Sequence, residues 1–411
     1  MEDACRAAEL AARNSYGRLV AYLAAQTRDV AAAEDALGDA FLKALKTWPE
    51  KGVPQNPEAW LLVTARHRLI DTARRSEVQD KILNSFKLNG LASQAEAFFD
   101  AVHFPDDRLK LLFICAHPAI DATIHTPLML QTVLGLNAAQ IASAFLVAPA
   151  TMSQRLVRAK AKIRDAGIAF ELPKTAELPI RLGAVLEAIY AAYTNAWETL
   201  DGGDPRHQGL AEEAIWLARL CIQLMPQEPE TRGLLALMLY CEARRAARRT
   251  VNGAYIPLLQ QDTRLWSQAT IDEAEQELAQ AATFKQLGRF QLEAAIQSIH
   301  AQRAVTQQVD WEALALLYEG LIQLSPTLGA LVSHAAAIAE AKELEQGLAQ
   351  LDRLPAEAVK NYQPYWALKA HLLKQLEYKS EAQQAYSRAI GLTEDFAIRE
   401  FLLHQSLRLD E

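Results

Sequence analysis

Residues 135–167 read GLNAAQIASAFLVAPATMSQRLVRAKAKIRDAG. Asn137 is placed to cap a short helix over 138–145. Ala148-Pro149 is placed to open a second helix running to about Ala166, because proline is well tolerated in a first helical turn. Ile141 and Ala142 point the first helix at a core. In the second, Met152, Leu156, Ala159 and Ile163 recur at helical spacing and must be buried. Thr151, Ser153, Gln154, Arg155, Arg158 and Lys162 are left on the other side. Between Ala148 and Arg164 stand five basic residues and no acid. Two helices joined by a short turn, the second basic on its outer face, describe a helix-turn-helix. Such a helix can enter the major groove, with Gln154 and Arg155 at base edges and Lys162 on phosphate. The plainer alternative is a solvated helix beside a bundle core. The coincidence of cap, turn length and charge bias argues against it.

Toward the N-terminus, residues 3–48 read as helices punctuated near Thr27–Asp29 and broken by Pro49 and Gly52. In DVAAAEDALGDAFLKALKTWP, Ala33, Leu37, Phe41 and Ala44 share one face, and Asp35 and Asp39 another. Asn56-Pro57 then gives an N-cap and a proline at the first helical position, opening NPEAWLLVTARHRLIDTARR through about Arg75. Leu61, Leu62, Ala65, Leu69 and Thr72 form its inner face. Arg66, His67, Asp71 and Arg74 lie opposite, with Trp60 and Ile70 among them and Arg75 at the end. An aromatic beside cations suits an unstacked single strand, offering a stacking platform and phosphate partners. The structural alternative is that Trp60 packs against the preceding helix.

Charge divides the chain. Residues 1–175 hold 21 Lys and Arg against 19 Asp and Glu, whereas 176–411 hold 21 against 31. The front half is therefore at +2 and the rear at −10. A neutral front with a local basic helix suits DNA; an acidic rear does not. Beyond Pro173 the pattern is helix after helix. Ile222-Gln223-Leu224-Met225-Pro226 is echoed by Ile322-Gln323-Leu324-Ser325-Pro326 and Ile390-Gly391-Leu392-Thr393, with Leu351-Asp352-Arg353-Leu354-Pro355 between the last two. Residues 361–394, with Tyr365, Trp366, Ala370, Tyr378, Ala382, Tyr386 and Ala389, fit a tetratricopeptide pattern best.

These segments resemble extracytoplasmic-function sigma factors of RNA polymerase. AEDALGDAFLKALKTW (33–48) resembles the region 2 helix that docks on the clamp helices of the polymerase β′ subunit. Residues 56–75 resemble the helix that recognises and opens the −10 element, and 135–167 the region 4 helix-turn-helix that reads the −35 element. DDRLKLLFICAHPAI (106–120) and the helical extension resemble one group of this family, which carries a tetratricopeptide-like C-terminal domain. The resemblance departs at Leu146, where the turn often has Gly, at Thr64 and His67, and at Cys115-Ala116-His117.

The resemblance implies an all-α protein without catalysis or cofactor. Region 2 would span 1–80, a linker 81–104, region 4 105–173, and a regulatory helical array 174–411. Asp35 and Asp39 would meet polymerase; Trp60, Arg66, His67, Arg74 and Arg75 the −10 strand; Thr151, Ser153, Gln154, Arg155, Arg158 and Lys162 the −35 duplex. Core RNA polymerase (β′ clamp helices and β flap) and promoter DNA are the expected partners, with a possible protein partner for the array. The rival is a helix-turn-helix regulator with a tetratricopeptide-like sensor that does not bind core polymerase.

The remaining features exclude more than they add. The N-terminus is acidic and lacks the long apolar run of a signal peptide, and no window approaches a membrane span, so a cytoplasmic protein is expected. Cys5, Cys115, Cys221 and Cys241 are scattered without metal spacing, as free thiols would be. Cys115 and His117 lack two further ligands and read as core packing and a turn. Arg244-Arg245-Ala246-Ala247-Arg248-Arg249 is expected to pair with nearby carboxylates, Asp262 to cap a helix, and Asp201-Gly202-Gly203-Asp204-Pro205 to turn between helices.

Overall fold

The computed structural model describes residues 2–75, 107–145, 147–174, 176–198, 205–341, 343–393 and 395–409. It is all-α, as expected: among the described residues only an isolated bridge, Arg249 to Tyr255, is of β type. No helix among them is long and apolar enough to cross a membrane. The expected linker at 81–104, Leu146, and residues 201–204 lie outside the described residues. The chain forms two compact units, the first of residues 1–199 and 205–214, the second of the remainder.

In the first unit, helices α1 (Glu2–Thr27) and α2 (Val30–Lys51) are separated where expected. Asp29 caps α2 by accepting from the Ala32 N–H at 3.0 Å. Pro49 does not break α2, which continues to Lys51. A proline so near a C-terminus removes one hydrogen bond with little helix left to lose. The stop comes at Gly52, whose φ of +86° needs no side chain and whose N–H closes on the Trp48 carbonyl at 3.0 Å. Helix α3 (Pro57–Arg75) starts on Asn56, whose side chain accepts from the Ala59 N–H at 3.0 Å. The three helices pack together through small inner residues, among them Ala33, Ala36, Ala40, Ala44 and Ala65, with Leu61 buried beside them.

After α4 (Arg108–Cys115) and α5 (Ala122–Thr132) come α6 (Ala138–Ala144) and α7 (Pro149–Asp165), the helix-turn-helix pair. Asn137 caps α6 by accepting from the Ala139 and Gln140 N–H groups, while Gln140 accepts in return from the Asn137 N–H at 2.9 Å. Helix α8 (Leu178–Glu198), assigned above to the extension, belongs to the first compact unit. It lies on α4 and α5. Arg181 donates to the Phe113 carbonyl at 2.8 Å and sits over the Phe113 ring, and Thr126 donates to the Ala188 carbonyl at 3.0 Å. Leu182, Val185, Leu186, Ile189 and Tyr193 are buried there. The division between compact units thus falls about 25 residues beyond the boundary expected at Pro173.

The second unit continues from α9 (Pro205–Leu224), whose last ten residues belong to it, through α10 (Pro229–Ala243), α11 (Gln268–Thr283) and α12 (Arg289–Thr306). Next come α13 (Trp311–Leu324), α14 (Leu328–Ala341), α15 (Leu344–Asp352) and α16 (Ala356–Val359). The last three are α17 (Gln363–Gln375), α18 (Lys379–Leu392) and α19 (Phe396–Leu407). The repeated sequence segments share one structural role: Leu224, Leu324 and Leu392 each end a helix. Helix α10 packs on α11 and α12, and its Glu230 caps α12 from outside, accepting from the Phe290 N–H at 2.9 Å and the Gln291 N–H at 3.1 Å. Helices α17 and α18 form a hairpin with Ala370, Ala382, Tyr386 and Ala389 in its core, whereas Tyr378 is exposed.

The connection 244–267 is long and holds only the short 3-10 helices Arg245–Ala247, Leu258–Gln260 and Thr263–Leu265, but it is well tied. Arg303 donates to the Leu258, Leu259 and Gln261 carbonyls and lies over the Trp266 ring. Arg245 pairs with Glu242, and Arg249 with Asp395 at 2.6 Å, the carboxylate pairing expected of this basic cluster. Asp262 accepts from the Arg264 N–H at 3.0 Å.

Removing α8 exposes its partners on α4 and α5, and each fully buried large apolar side chain contributes about 1.5–3 kcal/mol. A chain ending at Pro173 should therefore melt at a lower temperature and bind more hydrophobic dye than one ending at Glu198. Equal melting curves for the two would contradict this packing.

Candidate polymerase and promoter interfaces

The face of α2 turned away from its core carries Asp35, Gly38, Asp39, Leu42 and Leu45, all exposed. Leu42 is 58% exposed, and it lies two turns after Asp35 and so on the same side. Sequence reading found the two acids and missed the two leucines. Their signal was present: neither fits the stripe formed by Ala33, Ala36, Leu37, Ala40 and Ala44. Asp39 is already engaged, accepting from the Arg68 guanidinium of α3 at 2.5 Å. Both side chains are about half exposed, so the pair contributes little to stability.

On α3 the expected residues divide. His67 is exposed, whereas Trp60 and Arg66 are half-buried. Trp60 meets the ring of Trp48 edge-on, with centroids 5.5 Å apart, so the structural alternative holds for one side of the indole. Burial lowers the Arg66 pKa from its usual value, partly offset by the neighbouring Tyr22. Arg66 therefore lies against α1 rather than on the outer face. The side chains of Arg74 and Arg75 lie outside the described residues.

On α7 the sequence pattern and the structure coincide. Met152, Leu156, Ala159 and Ile163 are buried, and Thr151, Ser153, Gln154, Arg155, Arg158 and Lys162 are exposed. Arg155, Arg158 and Lys162 line a cleft of about 440 Å³ whose other wall is the turn Ala119–Asp121 and the start of α5. Three cations on one wall favour an anion, although Asp121 opposes it at the mouth. Lys160 and Arg164, on the remaining side of α7, point to acids of α2.

The other candidates carry no chemistry. Cys115 is buried with its Sγ 3.3 Å from the Thr132 hydroxyl, and burial pushes the thiol up to about 12, so no thiolate forms near neutral pH. His117 Nδ1 accepts from the Ala119 N–H, tying the turn after α4. No group of His, Cys, Asp and Glu among the described residues could hold a metal ion.

Residues 12–78, which contain most of α1 and all of α2 and α3, match Sigma-70 region 2. Residues 181–282 match a family of unknown function, DUF6596. A relative, "Uncharacterized protein R00370" of Rhizobium meliloti, is 39% identical over 368 residues, covering 89% of this chain and 87% of its own. No solved structure matches. The chain belongs to the same family as that Rhizobium protein and carries a Sigma-70 region 2 at its N-terminal end. This region gives it a sigma-factor-like role in transcription initiation.

The Trp48–Trp60 contact makes a first test independent of function. Aromatic pairs contribute about 0.5–1.5 kcal/mol beyond their buried area. Trp60→Ala should lower the melting temperature, and Trp60→Phe should restore most of the loss. A Trp60→Ala chain as stable as the parent would show that the ring is not a structural support.

Proposed function

We propose that the chain is a sigma factor of the extracytoplasmic-function type, which recruits core RNA polymerase to specific promoters and acts by binding alone. The reading is carried by one observation: a Sigma-70 region 2 on α1–α3 and a basic helix-turn-helix on α6 and α7 occur in one chain. The α2 face of Asp35, Gly38, Leu42 and Leu45 docks on the β′ clamp helices. Its mix of exposed leucine and acid suits a protein partner better than solvent. Helix α3 presents Trp60 and His67 to the unstacked −10 strand, and the expectation that Arg74 and Arg75 meet its phosphates rests on the sequence alone. Helix α7 enters the −35 major groove, with the region around it meeting the β flap. The second unit is a tetratricopeptide-like array that regulates the factor by binding a protein partner. No cofactor is needed, and the protein works in the cytoplasm beside the chromosome.

Co-purification with core polymerase separates this reading from that of an operator-binding regulator. Asp35→Arg is the cleaner variant, because Asp39 already pairs with Arg68. It should weaken core binding roughly tenfold, about 1.4 kcal/mol, with folding unchanged. A parent chain that binds promoter DNA but never core polymerase would end the proposal.

The α7 face divides its labour along the helix. Arg155→Ala should cost roughly 1–3 kcal/mol and relax one promoter position, whereas Lys162→Ala should weaken all sequences alike and flatten the salt dependence. Binding of a promoter-variant library by both variants checks this. Identical specificity profiles would refute the division.

A further inference from the structure

The second unit encloses a small cavity beneath the 244–267 connection. Its walls are Tyr240 of α10, Arg244 just past that helix, Trp266, Ile271 of α11 and Gln297 of α12. At about 10 Å³ it has room for one water-sized atom or ion. Four of these five residues lie within 181–282, the stretch that matches a family of unknown function.

Two of the walls bring polar atoms that are buried and make no hydrogen bond: the indole N–H of Trp266 and the side-chain oxygen of Gln297. Trp266 is only 8% exposed, and its ring face is already taken by Arg303. A buried polar atom without a partner is costly, and two of them around a space of single-atom size point to an occupant.

Arg244 sets the charge of that occupant. It is half-buried, and among the described residues it pairs with no carboxylate; its guanidinium lies 3.6 Å from the Cys241 Sγ. Its neighbours in the basic cluster differ, since Arg245 pairs with Glu242 and Arg249 with Asp395. Asp262, the one acid in the connection, pairs with Arg264. Glu275, whose charge is felt at Tyr240, is exposed on α11. The positive charge at the cavity is therefore unbalanced. His300, one turn on from Gln297, registers the same field: burial, then Arg244 and Arg303, hold its pKa down at about 4, so it is neutral near pH 7. The Ala243 carbonyl, at the negative end of α10, accepts from the Ser267 N–H at 2.8 Å and is thereby occupied.

A single halide ion answers each of these groups. It accepts from the Arg244 guanidinium, from the Trp266 N–H and from the Gln297 amide turned to present its NH2 group, a turn that leaves the shape of the side chain unchanged. Water would satisfy the two polar atoms but leave the charge of Arg244 unbalanced. Sulfate and phosphate are too large for a space of one atom.

We propose that this cavity is a halide site, filled by chloride in a cell, in which Arg244, Trp266 and Gln297 hold the ion and the ion fastens the connection to α10 and α12. The site is independent of the sigma-factor reading.

Amide exchange of residues 258–267 in the full chain, followed by mass spectrometry, tests it. The buffer is halide-free, with ionic strength kept constant by sulfate, and chloride or bromide replaces the sulfate stepwise. Exchange should slow saturably, by about tenfold at ten times the Kd, because an opening that releases the ion is opposed by mass action. Sulfate strengthens packing in general, so a non-specific salt effect would run the other way. Arg244→Gln should lose the response and yet exchange like the parent in halide-free buffer, because no acid is left without a partner. Trp266→Phe keeps a ring for Arg303 and should weaken halide binding several-fold. Crystals of the parent grown in bromide should show its anomalous scattering between Trp266 and Gln297. Exchange that ignores both halides, that slows without saturating, or that slows equally in Arg244→Gln overturns the site. Should Arg244→Gln fail to fold, the parent crystals decide, and water in place of bromide at that position overturns it as well.

Discussion

Close approach between helices, permitted by small side chains, underlies the rest of this structure. In α2 the inner face is mostly alanine, and at Gly17 the backbones of neighbouring helices touch without side chains between them. Helices this close bury less area per residue than a leucine-rich bundle does, but they fit in few registers, because a single added methyl group collides with backbone. Large side chains such as Leu19, Leu23, Leu37 and Leu61 fill the space between these close contacts, while Leu42 and Leu45 stand exposed. The second unit relies on the same economy in its α17–α18 hairpin, whose core is built from Ala370, Ala382, Ala385 and Ala389 around Tyr386.

Local rules were legible in the sequence wherever a boundary is set by its own residues. Asn56 and Asn137 each proved to be the side-chain acceptor that opens the following helix, and the break expected near Thr27–Asp29 is where Asp29 opens α2. The split of α7 into buried and exposed positions follows from its period alone, which is why every residue expected to read DNA from this helix is on the surface. Pro49 misled because the cost of proline depends on how much helix follows it, a quantity that local sequence patterning does not disclose.

What stayed hidden depends on partners far along the chain. Glu34 and Lys160 are 126 residues apart, and each alone looks like a solvated surface charge. Trp60 on a basic face suggested stacking, yet its neighbour Trp48 shares the ring. Helix α8 has the same apolar stripe whether it lies on α4 and α5 or opens an array, so its place among the units could not be read from its pattern. The tie between Arg181 and the Phe113 carbonyl settles that question through a backbone acceptor, which leaves no trace in residue types.

The arginine that holds the 244–267 connection has a consequence for how that loop can be used. Arg303 engages three carbonyls and an indole from one side chain, so the path of the loop over 258–266 is determined by the helix beneath it. Val251, at its tip, is fully exposed and contributes nothing to that anchoring. Val251 is thereby decoupled from the foundation, while Gly253, at a φ of +84°, and the hydrogen bonds between Thr250 and Ala254 hold the turn around it, so a molecule that gripped the tip would find the backbone already ordered. The loop is a fixed mount on which surface chemistry can change by single substitutions while the helices below stay as they are.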